Sequence, residues 1–284
     1  MSAEFWYMFP LGIAMTAVGI ASGVGGATFY SPLFILGLGL PPPLAIGAGL
    51  IVEACGFGSG VYAYLRRRLI DHRIVRAMLV ATVPAALAGT LVAHYVRADI
   101  LKSVLGMGLF AVAASFLRTP DAVSAARLND LAEESPDAAG TCLTTARGEE
   151  ICYTVCNKTE GRLISGLGAF FMGAASSGLG ELNGYFLLQR CRVPVRVSVA
   201  TTVVVVAATA LVASIGHIVQ IGRQGLPKLV TMGNLLLFTV PGVVIGAQLG
   251  PMLADRVPDR VMEVGLGLLF TITGGLLLVE AGLN

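Results

Sequence analysis

Ser22-Gly23-Val24-Gly25-Gly26-Ala27-Thr28 and Ser176-Ser177-Gly178-Leu179-Gly180-Glu181-Leu182-Asn183 are glycine-rich turns, each set in the middle of a long apolar stretch, 8 to 38 and 163 to 189. In hydrocarbon every backbone N–H and C=O needs an internal partner, so a helix broken at bilayer depth survives only against a protein-enclosed or water-filled cavity. A pair of such breaks in corresponding positions points to a binding site at the bilayer midplane.

The chain around these turns is suited to a membrane. It is 55% hydrophobic and 13% charged over 284 residues, with a mean hydropathy of +0.80, too apolar for a solvated surface. A helix crosses a core roughly 30 Å thick with about 20 residues. Stretches of that kind run from 44 to 64, 75 to 95, 99 to 117, 196 to 219, 229 to 253 and 262 to 280. The start, MSAEFWYMFP, lacks a basic n-region and a small-residue cleavage site, so no cleaved signal is expected, and Trp6 and Tyr7 suit an interface anchor. A net charge of +2, carried by loops, argues against a nucleic-acid partner.

The chain is an internal duplication. An offset of 153 residues carries Gly25 onto Gly178, Pro41 onto Pro194 and Ala54 onto Ala207; farther on, an offset of 157 carries Pro84 onto Pro241, Gly89 onto Gly246, Val104 onto Val261 and Gly108-Leu109 onto Gly265-Leu266. Residues 1–118 form the first repeat and 162–284 the second. Between them, 119–161 is a polar insert, with Asp121, Asp130, Glu133, Glu134, Asp137, Glu149 and Glu150; the stretches around Cys142 and Cys152, flanking Arg147-Gly148, read as a short β-hairpin.

Thirty-one helical residues from 8 to 38 would extend roughly 46 Å, too long for the core even when steeply tilted. Two half-length helices turning back at the glycines fit better. Each repeat then has three full crossings, and an odd number inverts the second repeat. The fold expected is an all-α polytopic membrane protein of two inverted repeats, each a glycine-broken half-helix hairpin plus three transmembrane helices. Basic loops favour the cytoplasm. Inversion places Arg66, Arg67, Arg68, Arg73, Arg76, Arg190, Arg192, Arg196, Arg256 and Arg260 inside with the insert, and leaves Arg97, Lys102, Arg223 and Lys228 outside. Eight full crossings would put the clusters at 190 to 196 and 256 to 260 outside.

After each break a half-helix begins, near Ala27 and near Glu181, whose first N–H groups lack acceptors. With the positive end of the helix dipole they form an anion site needing no lysine or arginine. The candidate substrate-binding residues are Ser22, Gly25, Gly26, Ala27, Thr28, Ser177, Gly178, Gly180, Asn183, Thr201 and Thr202. The plainer reading is that the glycines only let helices pack closely. Glu53 and Glu181 lie at membrane depth, where a charge costs roughly 2.5 to 3.5 kcal/mol and usually faces a cavity. Both are candidates for proton coupling, although Glu181 could instead cap its own half-helix and Glu53 could bond a neighbouring helix.

Pro41-Pro42-Pro43-Leu44-Ala45-Ile46-Gly47-Ala48-Gly49-Leu50 and Pro194-Val195-Arg196-Val197-Ser198-Val199-Ala200-Thr201-Thr202-Val203 follow the two hairpins. With the glycine turns they resemble the G-x-G-G-G, V/L-P-P and A-V-x-T-S-L signatures of the sulfite exporter TauE/SafE (TSUP) family of membrane transporters, across nearly the whole chain outside the insert. The resemblance implies export of a small sulfur-containing anion, sulfite or an organosulfonate, across the cytoplasmic membrane, with no enzymatic activity. Thr201 and Thr202 match the family's hydroxyl pair, while Ala48 and Gly49 replace it in the first half. An importer or exchanger of thiosulfate or another small anion is the alternative. A cysteine-based membrane redox protein is disfavoured, since Cys55 is the one cysteine in mid-span and Cys191 sits at an end. A ligand sensor signalling through the insert is also disfavoured. No metal or cofactor is expected: Cys142, Cys152 and Cys156 lack a nearby histidine or C-x2-C pair and read as reduced thiols. His72, His94 and His217 read as interface polarity. The partners expected are the small anion and the bilayer, and a homodimer stays open.

Overall fold

In the computed structural model, residues 5–93, 95, 97–117, 141–154, 157–223, 225–256 and 258–282 are described. His94, Cys156 and the acidic run from 119 to 140 lie outside them. Before the β-hairpin lie α1 (Met8–Ser22), α2 (Ala27–Pro32, continuing as the π-helical Leu33–Gly37), α3 (Pro42–Arg67), α4 (His72–Val92) and α5 (Ala98–Leu117). The insert contributes β1 (Thr141–Thr144) and β2 (Glu150–Tyr153). After the β-hairpin come α6 (Lys158–Ala175), which begins within the stretch read as the insert, α7 (Leu179–Gly184, continuing as the π-helical Tyr185–Arg190), α8 (Val195–Arg223), α9 (Leu226–Ala254) and α10 (Asp259–Gly282). Four of the described helices, α3, α4, α8 and α9, are long and apolar enough to cross a bilayer, which makes this a multi-pass membrane protein.

Local chemistry sets the ends. Pro42 opens α3, where a missing N–H costs nothing, and Arg66 and Arg67 close it beside the negative helix terminus. Asp71 caps α4 by accepting from the N–H groups of Arg73 and Ile74 at 2.7 and 3.2 Å. Asn157 caps α6 in the same way. A π-helical turn ends each half-helix, a feature that periodicity did not announce and that often marks functional segments.

Helices before and after the β-hairpin pack on one another through glycine. Phe9, Ile13 and Ala17 carbonyls lie against Gly242, Gly246 and Gly250, so α1 and α9 run parallel. Gly89 meets the Phe170 carbonyl, Gly173 meets that of Ala86, and Arg162 Nε donates to Ala77 O at 3.2 Å, so α4 and α6 run parallel too. Gly47 faces His217 and Ile221, whereas Gly60 faces Val203, so α3 and α8 are antiparallel. The α5 and α10 helices meet at Gly106 and Gly274. Small residues let these backbones approach where lipid offers no hydrophobic drive.

His217 departs from the interfacial placement expected of it. It is buried, with Nε2 2.8 Å from the Gly173 carbonyl, and so ties α8 to α6. The cysteines depart as well. In the antiparallel ribbon Cys142 stands directly opposite Cys152, and the two form a disulfide. Strand register, invisible in the spacing of three thiols, brings them together.

Candidate functional site

The two breaks meet in the middle of the protein. A Cβ placed on Gly180 would fall 2.5 Å from the Gly25 nitrogen and 2.8 Å from the Gly23 carbonyl oxygen, so the start of α7 lies against the first turn. The Thr28 hydroxyl is hydrogen-bonded to Glu181 Oε1 at 2.7 Å and to Ser177 Oγ at 3.0 Å. Ser176 and Ser31 join at 2.6 Å between their hydroxyls.

The glycines divide the labour. Gly23 and Gly178 hold the left-handed backbone at φ 73° and 114°, which side chains disfavour. Gly25 and Gly180 are needed for space instead. A Cβ on Gly25 would meet Glu53 Oε1 at 2.6 Å. Gly26 and Ala27 start α2, as expected.

Each half-helix start faces a carboxyl group of the protein itself. Glu181 Oε2 accepts the Gly178 N–H at 3.1 Å, capping its own half-helix. Glu53, from the middle of α3, lies beside the Gly26 and Ala27 N–H groups at the start of α2, close enough to Glu181 to interact electrostatically. Neither Glu53 oxygen makes a hydrogen bond of normal geometry, although the side chain is 1% exposed. A buried carboxyl without partners is costly and calls for an explanation.

The remaining candidates separate. Asn183, on α7, and Thr202, on α8, are buried with unpartnered side-chain polar atoms. Thr201 is committed elsewhere: its hydroxyl accepts the Asp71 N–H at 3.1 Å. Ser22 folds back on α1, donating to the Val18 carbonyl at 2.9 Å. Three groups escaped the candidate set. Ser31 joins the two breaks through Ser176, Ser198 is buried and unpartnered on α8, and Tyr30 bonds Thr16 at 2.8 Å. The repeat held the clue to one of them, since the 153-residue offset carries Tyr30 onto Asn183. Of these groups, Ser22 is half-buried and the others are buried.

On the arginine-rich side the hairpin is fastened over the helix ends. Tyr153 donates to Asp71 Oδ2 at 2.7 Å, the Ala146 N–H donates to Arg67 O at 3.0 Å, and Arg147 and Arg196 approach Asp255 and Glu149 at 3.6 and 3.5 Å. Arg67 pairs with Asp255 at 2.7 Å. Between hairpin and bundle lies a cavity of about 120 Å³ lined by Arg67, Arg147, Arg196, Glu149 and Asp255.

Burial, and then Asp71, push the Tyr153 hydroxyl well above the usual tyrosine range. A raised value means that the native state holds this proton. The bond is therefore fully present below the ordinary tyrosine value of about 10 and is lost only as pH rises through the folded value. Tyr153→Phe should weaken the hairpin's attachment by about 1.5 to 3 kcal/mol, the scale of a hydrogen bond to a charged group, at any pH from about 6 to 9. Trypsin cleavage after Arg147 in the folded protein measures it, and a rate equal to wild type would contradict it.

A family model described as "Sulfite exporter TauE/SafE" matches residues 8–277. A protein of Bacillus subtilis (strain 168), named "Probable membrane transporter protein YjnA", is 26% identical over 257 residues, covering 87% of this chain and 90% of its own. No solved structure matches the chain.

Proposed function

The chain belongs to the TauE/SafE sulfite exporter family of membrane transporters, and from that premise we propose that it exports a small sulfur-containing anion, sulfite or an organosulfonate, across the cytoplasmic membrane by coupling to protons. The carrying observation is the pair of half-helix starts, each facing one of the protein's own carboxyl groups, one of them without hydrogen-bond partners. Helix starts attract anions. An ionised Glu53 would compete with the cargo for the Gly26 and Ala27 N–H groups and repel it, whereas a protonated Glu53 would leave them to it. Binding of the anion and of a proton thereby become linked. Asn183 and Thr202, buried with unpartnered polar atoms, supply further hydrogen-bond capacity. Counterflow of labelled sulfite, thiosulfate, sulfoacetate and taurine in proteoliposomes tests the cargo. Exchange of thiosulfate alone would favour the importer or exchanger alternative, and exchange of none would overturn the reading.

The same reading includes two inverted repeats. Its support is directional: α3 and α8 are repeat counterparts and run antiparallel, while α1 runs with α9 and α4 with α6. Three full crossings follow the second hairpin. Cysteines introduced at Asp130 or Glu149 should therefore react with an impermeant label from one face of the membrane, and a cysteine at Asn284 from the other. Labelling of all three from a single face would sink the inversion.

A further inference from the structure

The hairpin turns Leu143, Ile151 and Tyr153 onto the bundle core and leaves Cys142, Thr144, Glu150 and Cys152 exposed. The Cys142–Cys152 disulfide thus lies on the outer face of the ribbon that fastens the ends of α3 and α9 to the starts of α4 and α8. Its setting is unusual on the arginine-rich side of the protein, which the charge rule places in the cytoplasm. A disulfide exposed to cytosolic thiols is labile or regulatory rather than structural.

We propose that Cys142–Cys152 is a sulfite-cleavable disulfide and that its opening loosens the hairpin latch, so that the anion itself releases the arginine-lined mouth. This rests on the reading that the cargo is sulfite and the hairpin cytoplasmic. Sulfite attacks as thiolates do in disulfide exchange. Its sulfur lone pair forms a bond to one cysteine sulfur and the Cys–Cys S–S bond breaks. The other cysteine leaves with the bonding pair as a thiolate and takes a proton from water. One cysteine becomes an S-sulfonate and its partner a thiol; the sulfite sulfur is oxidised and the displaced cysteine reduced, with no further reactant. When sulfite falls, the thiolate attacks the cysteine sulfur that bears the sulfonate, that sulfur's bond to the sulfonate breaks, sulfite leaves with the bonding pair and the disulfide re-forms. Arg147 and Arg196, two of the cavity's arginines, attract the anion toward the hairpin. Glu150, whose carboxylate lies within 4.8 Å of both sulfurs, opposes its final approach and sets the concentration at which the bond yields.

Purified full-length protein is incubated with sulfite or sulfate, free thiols are alkylated, and the cysteine peptides are weighed. Sulfite should leave one S-sulfonate and one alkylated thiol on the Cys142 and Cys152 pair and leave Cys191, which is buried and disulfide-bonded, unmodified; trypsin cleavage after Arg147 should accelerate about fivefold or more, as a loss of about 1 kcal/mol implies. Glu150→Gln should lower the sulfite concentration required. C142S/C152S should show the fast cleavage without sulfite. The proposal is overturned by a bond that resists sulfite able to cleave oxidised glutathione in the same tube. Opening without faster cleavage, or C142S/C152S cleaved at the wild-type rate, overturns it equally. Sulfite counterflow by C142S/C152S proteoliposomes reports on the cargo alone, so its absence would sink the transport reading without touching the bond chemistry.

Discussion

In proteoliposomes with an imposed pH gradient, replacing Glu53 by Gln should abolish movement of the anion against its own gradient while leaving anion counterflow intact. The amide keeps the shape of the carboxyl and, like the protonated acid, never carries a charge that would exclude the cargo from the Gly26 and Ala27 N–H groups. Wild-type binding should weaken as pH rises and Glu53 ionises against the anion; Glu53→Gln should stay tight from about pH 5.5 to 8.5. One pH unit is worth about 1.4 kcal/mol per proton, so a variant that no longer moves the proton forfeits about tenfold accumulation per unit of gradient. Glu181→Gln should do less, because Glu181 already has partners in Gly178 and Thr28 that an amide can satisfy. Anion affinity measured across that pH range for wild type and both variants decides the matter. A flat profile in Glu181→Gln with a sloping one in Glu53→Gln would reverse the assignment, and two profiles parallel to wild type would remove proton coupling from this site.

Gly180→Ala should lose anion binding by at least about 100-fold, or about 2.7 kcal/mol, although it adds a single methyl group. The new carbon would have to occupy space held by the Gly25 nitrogen and the Gly23 carbonyl, and backbone yields poorly. The two half-helix starts would be driven apart. Gly25→Leu should have a similar effect by displacing Glu53. The control lies in the same half-helix, since a Cβ on Gly184 meets nothing within 4 Å and Gly184→Ala should bind normally. Gly56→Leu, set against Thr16 and Val243, should lower thermal stability rather than affinity. Binding in detergent at matched folding separates these cases. Near-wild-type affinity in both Gly180→Ala and Gly25→Leu would refute the paired half-helix site.

The helix breaks and the residues beside them were legible because they are local in the chain. A glycine turn in an apolar stretch, a hydroxyl beside it and a carboxyl at membrane depth can each be read along one dimension. The gaps share a cause. Thr28 and Ser177 are 149 positions apart yet bonded, and no periodicity links them. Thr201 and Thr202 are adjacent in sequence, but only the surroundings show that the first is spent on Asp71 and the second is unpartnered. His217 reads as interfacial by position and is buried because α6 packs over it.

The sequence by itself determined that the protein lives in a membrane and where its helices break, since apolar run length and glycine placement are properties of the linear chain. The tertiary structure alone decided which break meets which, that Glu53 of α3 lies beside the start of α2, and that Cys142 is bonded to Cys152. Those outcomes depend on the packing of elements far apart in sequence, where glycine-lined crossings set the distances and burial decides which polar groups find a partner.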